Sequence, residues 1–170
     1  MANALLVNAA ELLRRPGSER DLALRVTIAE VGLDDPRFAA DAPVQVDVHL
    51  ESLTDGIVVD GEVVSRWHAE CRRCLEPIDG EVRGEVHELY QREVTDEDAF
   101  PITGDQLDLS KMVREVLLID APIAALCRPE CAGLCPTCGK DLNEGPCECA
   151  PAPADPRWAV LDQLRQSPEQ

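Results

Sequence analysis

Val44-Gln-Val-Asp-Val-His-Leu50 puts an apolar residue at every second position, the period of a half-buried β-strand. Thr54-Asp55-Gly56 follows as a hairpin turn, and Ile57 to Ala69 reads as a longer returning strand, broken at Asp60-Gly61. Upstream, Leu22, Leu24, Val26 and Ile28 alternate in the same way. Downstream, Ile78, Val82, Val86 and Tyr90 mark a further strand, with a slip near Gly84. Short hairpin connections join antiparallel neighbours. The first 90 residues therefore read as an antiparallel meander, with Cys71-Arg-Arg-Cys74 at the tip of one hairpin.

The flanks add helices. Asn8-Ala-Ala-Glu11 has the form of a capping box with Asn in place of Ser or Thr, opening a short helix through Leu12 and Leu13 that Pro16-Gly17-Ser18 ends. Asp34-Asp35-Pro36 through Ala42-Pro43 reads as loop, and Glu93 to Asp98 as an acidic, solvated turn. Leu109, Met112, Val113, Val116 and Leu117 fall at i, i+3, i+4, i+7 and i+8, which predicts a helix over 108–119, capped by Asp108, ended by Pro122 and packed on the sheet. The expected fold class is α+β: an antiparallel sheet, open or curled toward a barrel, with one packed helix and a cysteine-rich segment. Residues 1–126 form the core with its CxxC hairpin and 127–150 the cysteine-rich segment. Residues 151–170 form a Pro-Ala linker and a short helix, opened by Asp155-Pro156 and running through Trp158, Leu161 and Leu164.

Composition narrows the function. At 170 residues and 45% hydrophobic the chain can build a core without metal in its place. The first residues lack a basic region and meet Glu11, so no signal peptide is expected, and no apolar run approaches the roughly 20 residues that span a bilayer. The expected compartment is the cytoplasm, where thiols stay reduced, and eight cysteines there point to metal. The net charge of −17 opposes phosphate backbones, and aromatic content of 3% offers little platform for stacking bases. A basic protein partner suits this chain better than naked RNA. Acidity also serves plain solubility.

The cysteines fall into four groups: Cys71-x2-Cys74, Cys127-x3-Cys131, Cys135-x2-Cys138 and Cys147-x-Cys149. Zinc takes four tetrahedral ligands, and two short pairs joined by a loop supply them with little strain. Eight cysteines thus make two closed sites, although spacing alone allows several pairings. The preferred second site is Cys135, Cys138, Cys147 and Cys149, where Pro136 and Gly139 suit a tight turn whose amides point at sulfur. The first then joins Cys71 and Cys74 to Cys127 and Cys131, pinning the C-terminal segment to the sheet.

Other readings of the same letters are weaker. Cys131-x3-Cys135-x2-Cys138 has the spacing of the radical-enzyme iron–sulfur triplet, but without the alternating strands and helices of a barrel. His68-Ala-Glu70 before Cys71 imitates a zinc deaminase signature, yet in a strand Cys71 points away from the face that His68 and Glu70 share. A thiol–disulfide exchanger would open a helix with its CxxC, whereas Cys74 leads into Leu75-Glu76-Pro77 and another strand. Closed four-thiolate sites leave no position for a catalytic water. No GxxxxGK, HExxH or GxSxG occurs, and the remaining histidines are His49 and His87. The chain reads as a binding protein and not an enzyme.

With these residues placed, the sequence resembles the YceD-like family of large ribosomal RNA subunit accumulation proteins. The resemblance rests on Cys71-Arg-Arg-Cys74-Leu75-Glu76-Pro77, on Asp108-Leu-Ser-Lys-Met-Val-Arg-Glu115 leading to Ala121-Pro122, on Cys131-Ala-Gly-Leu-Cys135-Pro-Thr-Cys138-Gly-Lys-Asp-Leu142-Asn143 with Cys147-Glu-Cys149, and on Asp155-Pro-Arg-Trp158-Ala-Val-Leu161. It implies a non-enzymatic, metal-binding protein tied to accumulation or processing of the large-subunit RNA. It also implies a gene neighbourhood shared with a small, basic, zinc-bearing protein of that subunit. Some branches of the family lack the 135–149 cluster and keep the CxxC hairpin, which fits two separate sites. The leading expectation is a large-subunit assembly factor with two structural zinc ions. It binds a basic ribosomal protein or an assembly intermediate, touches ribosomal RNA at most indirectly, and has no membrane role. The alternative is a zinc-dependent RNA-binding or regulatory module that contacts RNA through Arg72 and Arg73.

Overall fold

The alternating residues pair as one sheet of seven strands. The structure is a computed structural model that describes residues 3–150 and Arg157. The strands are β1 (Leu6–Asn8), β2 (Glu19–Thr27), β3 (Pro43–Ser52), β4 (Gly56–Glu70), β5 (Pro77–Gln91), β6 (Phe100–Thr103) and β7 (Gln106–Asp108). Two α-helices, α1 (Ile28–Val31) and α2 (Ser110–Asp120), and two single 3₁₀ turns, Leu12–Arg14 and Leu142–Glu144, complete the described elements. The predicted linker after Ala150 and the helix through Trp158, Leu161 and Leu164 lie outside the described residues.

The sheet order is β1-β7-β6-β5-β4-β3-β2, curled into a half-barrel. The chain is mostly β, and the sheet is mixed where a purely antiparallel one was expected: β6 runs parallel to β5 through Tyr90↔Phe100 and Gln91↔Pro101. The acidic loop explains the difference. Gln91 is 3% exposed, and its side-chain oxygen accepts the Thr95 and Asp96 amides at 3.1 and 3.4 Å. Those bonds double the chain back, so that β6 starts beside the end of β5.

Three details of the sequence reading change for local reasons. Asn8 ends β1 and accepts the Ala10 amide at 3.0 Å, so one 3₁₀ turn forms in place of the capped helix. The true capping box is Thr27 with Glu30, which opens α1 and cuts β2 before Ile28. Helix α2 begins at Ser110, and Asp108 belongs to β7 while its carboxylate accepts the Ser110 amide at 2.9 Å.

Both expected interruptions are absent. β4 runs unbroken through Gly61, whose φ is 153° and where a Cβ would lie 2.2 Å from the Asp47 carbonyl oxygen. Only glycine lets β3 approach so closely. At Gly84 a Cβ would meet Val116 at 2.2 Å. That glycine clears room for α2 on the sheet, and no register slip occurs.

Val44, Val46, Val48 and Leu50 of β3 face inward with Ile57, Val59 and Val63 of β4, as do Val82, Val86 and Tyr90 of β5. Helix α2 covers them with Met112, Val113, Val116 and Leu117. Burying each such side chain contributes about 1.5–3 kcal/mol. Outside, Asp21, His49, Asp60 and His87 stand in one cross-strand row. His49 bonds Asp21 at 2.7 Å and His87 bonds Asp60. Where the sheet edges draw near, the Arg20 guanidinium donates to the Asn8 carbonyl at 3.0 Å.

Glu88 breaks the inward pattern of β5. Burial, and then the neighbouring Glu115 charge, push its carboxyl above the usual range. A raised carboxyl pKa means that folding disfavours the ionised form: the cost is absent below the ordinary Glu range and complete above the raised value. Glu88→Gln is therefore expected to raise the melting temperature at pH 7 and leave it unchanged near pH 4. An equal shift at both pH values would contradict this account.

Candidate metal centres

The long β4–β5 hairpin carries the first cysteine pair on its tip. There the Cys71 amide donates to the Glu76 carbonyl at 2.8 Å and the Leu75 amide to the Cys71 carbonyl at 2.8 Å. The same turn recurs downstream: Cys135 donates to Lys140 and Gly139 to Cys135, each at 2.9 Å. In both, the residue after the second cysteine has a left-handed backbone, Leu75 at φ 63° and Gly139 at φ 73°. Gly139 occupies that conformation freely. Leu75 is the one non-glycine residue with positive φ among the described residues.

Four sulfurs meet at the tip. Cys71 and Cys74 come from the hairpin, Cys127 and Cys131 from the chain that follows α2, all within 4.8 Å of one another. Cys71 and Cys131 are 3.8 Å apart, and Cys74 and Cys127 3.7 Å. A disulfide would need about 2.05 Å. Four sulfurs on zinc bonds of 2.3 Å lie about 3.8 Å apart by tetrahedral geometry, so the donor set fits a tetrahedral thiophilic ion. Cys71, Cys131 and Cys74 are 0, 2 and 8% exposed, with Leu126 and Leu134 packed around them.

Hydrogen bonds splice the two arms. The Arg72 amide donates to the Ala125 carbonyl at 3.0 Å, and the Leu134 amide to the Arg73 carbonyl at 3.1 Å. The Arg73 guanidinium donates to the carbonyls of Pro129 and Cys131 at 3.2 and 2.9 Å. Arg73 thus serves the site from behind, which a pair of tip arginines in sequence does not suggest.

Cys135, Cys138, Cys147 and Cys149 form a second group within the same 4.8 Å limit. Cys147 and Cys135 are 3.4 Å apart. This group is shallower: Cys135 is buried, Cys147 and Cys149 are half-buried and Cys138 is exposed. Of the pairings that spacing allows, the grouping in space is the preferred one, and neither group includes a histidine. His68 and Glu70 are exposed strand residues outside both.

Backbone dipoles already favour negative sulfur. The Cys127 amide, then those of Cys74 and Arg73, hold the Cys71 thiol down to about 6. The Cys138 and Thr137 amides do the same for Cys135, to about 6. The Asn143 side-chain amide lowers Cys131, while burial pushes Cys127 up to about 12. The Cys138 side chain, and then burial, push Cys149 up to about 12, so each site favours some thiolates and penalises others, the imbalance that a divalent cation removes.

A family model described as large ribosomal RNA subunit accumulation protein YceD matches residues 59–165, a span that holds all eight cysteines and α2. The chain belongs to the YceD family. A protein of Mycobacterium tuberculosis, named only as uncharacterized, is 33% identical over 96% of this chain and 83% of its own length. Another from Mycobacterium leprae is 31% identical over 89% and 73%. The Arabidopsis thaliana YCED homolog 1, named as a chloroplastic large ribosomal RNA subunit accumulation protein, is 32% identical over 42% of this chain and 22% of its own. No solved structure matches. The YceD match begins within β4 and spans the hairpin tip and both sulfur groups, and β1 to β3 precede it. Among the described residues no helix is long and apolar enough to cross a membrane.

The left-handed backbone at Leu75 costs about 1–2 kcal/mol that glycine avoids, and its side chain is 57% exposed, so little burial offsets the cost. Leu75→Gly is expected to raise the melting temperature by a few degrees, on the scale of about 2–4 °C per kcal/mol for a chain of this size. A lower melting temperature would mean that the Leu75 side chain contributes more packing than its exposure indicates.

Proposed function

We propose that this protein is a non-enzymatic, zinc-binding ribosome-biogenesis factor that supports accumulation or processing of large-subunit (23S) ribosomal RNA. It works in the cytoplasm by binding a basic large-subunit ribosomal protein or an assembly intermediate. The observation that carries the reading is membership of the YceD family, whose plant members are named for large ribosomal RNA subunit accumulation. The all-thiolate donor sets favour zinc as the ion, with Cys71, Cys74, Cys127 and Cys131 holding one and Cys135, Cys138, Cys147 and Cys149 the other.

Bound there, zinc is a cross-link, since four thiolates leave no position for substrate or water. The first ion ties residues 53 apart in sequence. It joins the core, residues 1–126, to the cysteine-rich segment 127–150. Purified protein is expected to be colourless with two zinc ions per chain; an iron–sulfur absorption band or absence of metal would refute this. Cys74→Ser is expected to lower the melting temperature by about 10 °C or more, because removing a structural ion forfeits several kcal/mol. Cys149→Ser should cost only a few degrees. Equal losses would contradict the division of labour between the sites.

The partner follows from charge. At −17 the chain repels phosphate and attracts a basic protein, with salt slowing the encounter. The rival reading, RNA contact through Arg72 and Arg73, loses half its basis because the Arg73 guanidinium is already bonded to two carbonyls. The tagged protein is expected to retain a basic large-subunit ribosomal protein at physiological salt and to bind free RNA weakly, with Arg72→Ala changing neither. Cells lacking the protein should show less large-subunit RNA relative to small-subunit RNA. Tight binding to naked precursor RNA that Arg72→Ala abolishes would establish the rival instead.

A further inference from the structure

One side chain of the second cysteine loop serves the first cysteine site. Asn143 lies between Cys138 and Cys147, on the 3₁₀ turn Leu142–Glu144. Asp141 fixes it there, its carboxylate accepting the Asn143 backbone amide at 2.8 Å and the side-chain amide at 2.7 Å. The same side-chain nitrogen donates to the Cys131 sulfur at 3.4 Å, and the side-chain oxygen accepts the Ala132 amide at 2.8 Å. The surroundings of a first-site sulfur are thus completed by a residue whose position depends on the second loop.

Beyond the Cys135–Lys140 turn, that loop is ordered by a few hydrogen bonds and little burial. Its 3₁₀ turn buries no residue, and it closes through the Leu142 amide on the Gly133 carbonyl at 2.8 Å, the Leu134–Asp141 bridge and Lys140 on the Pro146 carbonyl at 2.9 Å. The sulfurs of Cys135, Cys138, Cys147 and Cys149 at its two ends lie within 4.8 Å of one another, so an ion bound there would tie those ends together.

We infer that the two metal sites are thermodynamically linked through Asn143, so that zinc in the shallower second site raises the affinity of the deeper first site. The inference rests on the zinc reading above. An ordered loop presents its amide N–H to the Cys131 thiolate, and partners of this outer kind change metal affinity by about 10–100-fold. Because linkage is reciprocal, zinc in the first site tightens the second by the same factor. Asn143 is a positioning residue that touches a ligand and not the ion.

The test is a titration of the full-length metal-free chain with zinc against a chromophoric chelator. In Cys147→Ser/Cys149→Ser, which keeps only the first site, that site is expected to bind about 10–100-fold more weakly than in the wild type. Asn143→Ala should weaken the first site by a similar factor, and adding it to the double cysteine variant should bring no further loss. Asn143→Asp keeps the shape and the Ala132 bond but replaces the donor with a carboxylate. It should weaken the first site at least as much as Ala, which a merely structural role would not do. Unchanged first-site affinity in Asn143→Ala overturns the link even if the cysteine variant misfolds. Losses that add in the combined variant overturn it as well. A wild type that binds no zinc refutes the zinc reading itself, and a wild type that binds two with no link refutes only this inference.

Discussion

Continuous pairing of β4 with β5, from Gly56↔Gln91 to Glu70↔Pro77, is the constraint on which the other parts rest. At one end it presents Cys71 and Cys74 on a turn whose hydrogen bonds aim both sulfurs at one point. Along its length Gly84 leaves the groove in which α2 lies, and α2 delivers the chain to Cys127 and Cys131. A one-residue slip in this pair would exchange its buried and exposed faces. It would also displace the cysteine turn from its partners.

The alternation in β2 to β5 made most of the sheet legible, because a half-buried strand advertises its buried face at every second residue. The helical stripe of Leu109, Met112, Val113, Val116 and Leu117 was legible for the corresponding reason. Strand β1, at three residues, and β6, at four, are too short to show a period. The parallel pairing of β6 depends on what the buried Gln91 side chain bonds, which no local pattern encodes. The two glycines that look like breaks are read correctly only from their neighbours: Gly61 answers to β3, and Gly84 to Val116.

Cysteine spacing suggested the two groups of four because CxxC turns restrict where their sulfurs can point. It did not show that the groups differ in depth, since depth comes from the packing of Leu126 and Leu134 around the first. Nor did it show Arg73 and Asn143 at work behind the sulfurs. Each is a polar residue in a polar stretch, and its use becomes evident only when the two arms of the site are brought together. Recurrence of one turn at Cys71–Glu76 and Cys135–Lys140, with Leu75 where the second copy has Gly139, separates the device from the residue that usually builds it.

The sheet's edges bear on how copies of this protein meet. One edge is β1, three residues long, and the other is β2, which carries Glu19, Arg20, Asp21 and Arg25 along its length. Arg20 reaches from the second edge to the Asn8 carbonyl on the first, covering an acceptor that a foreign strand would need. The shortness of β1, the charges along β2 and the bridge between them disfavour strand addition. Backbone stacking between copies of this valine-rich sheet is disfavoured in the same way.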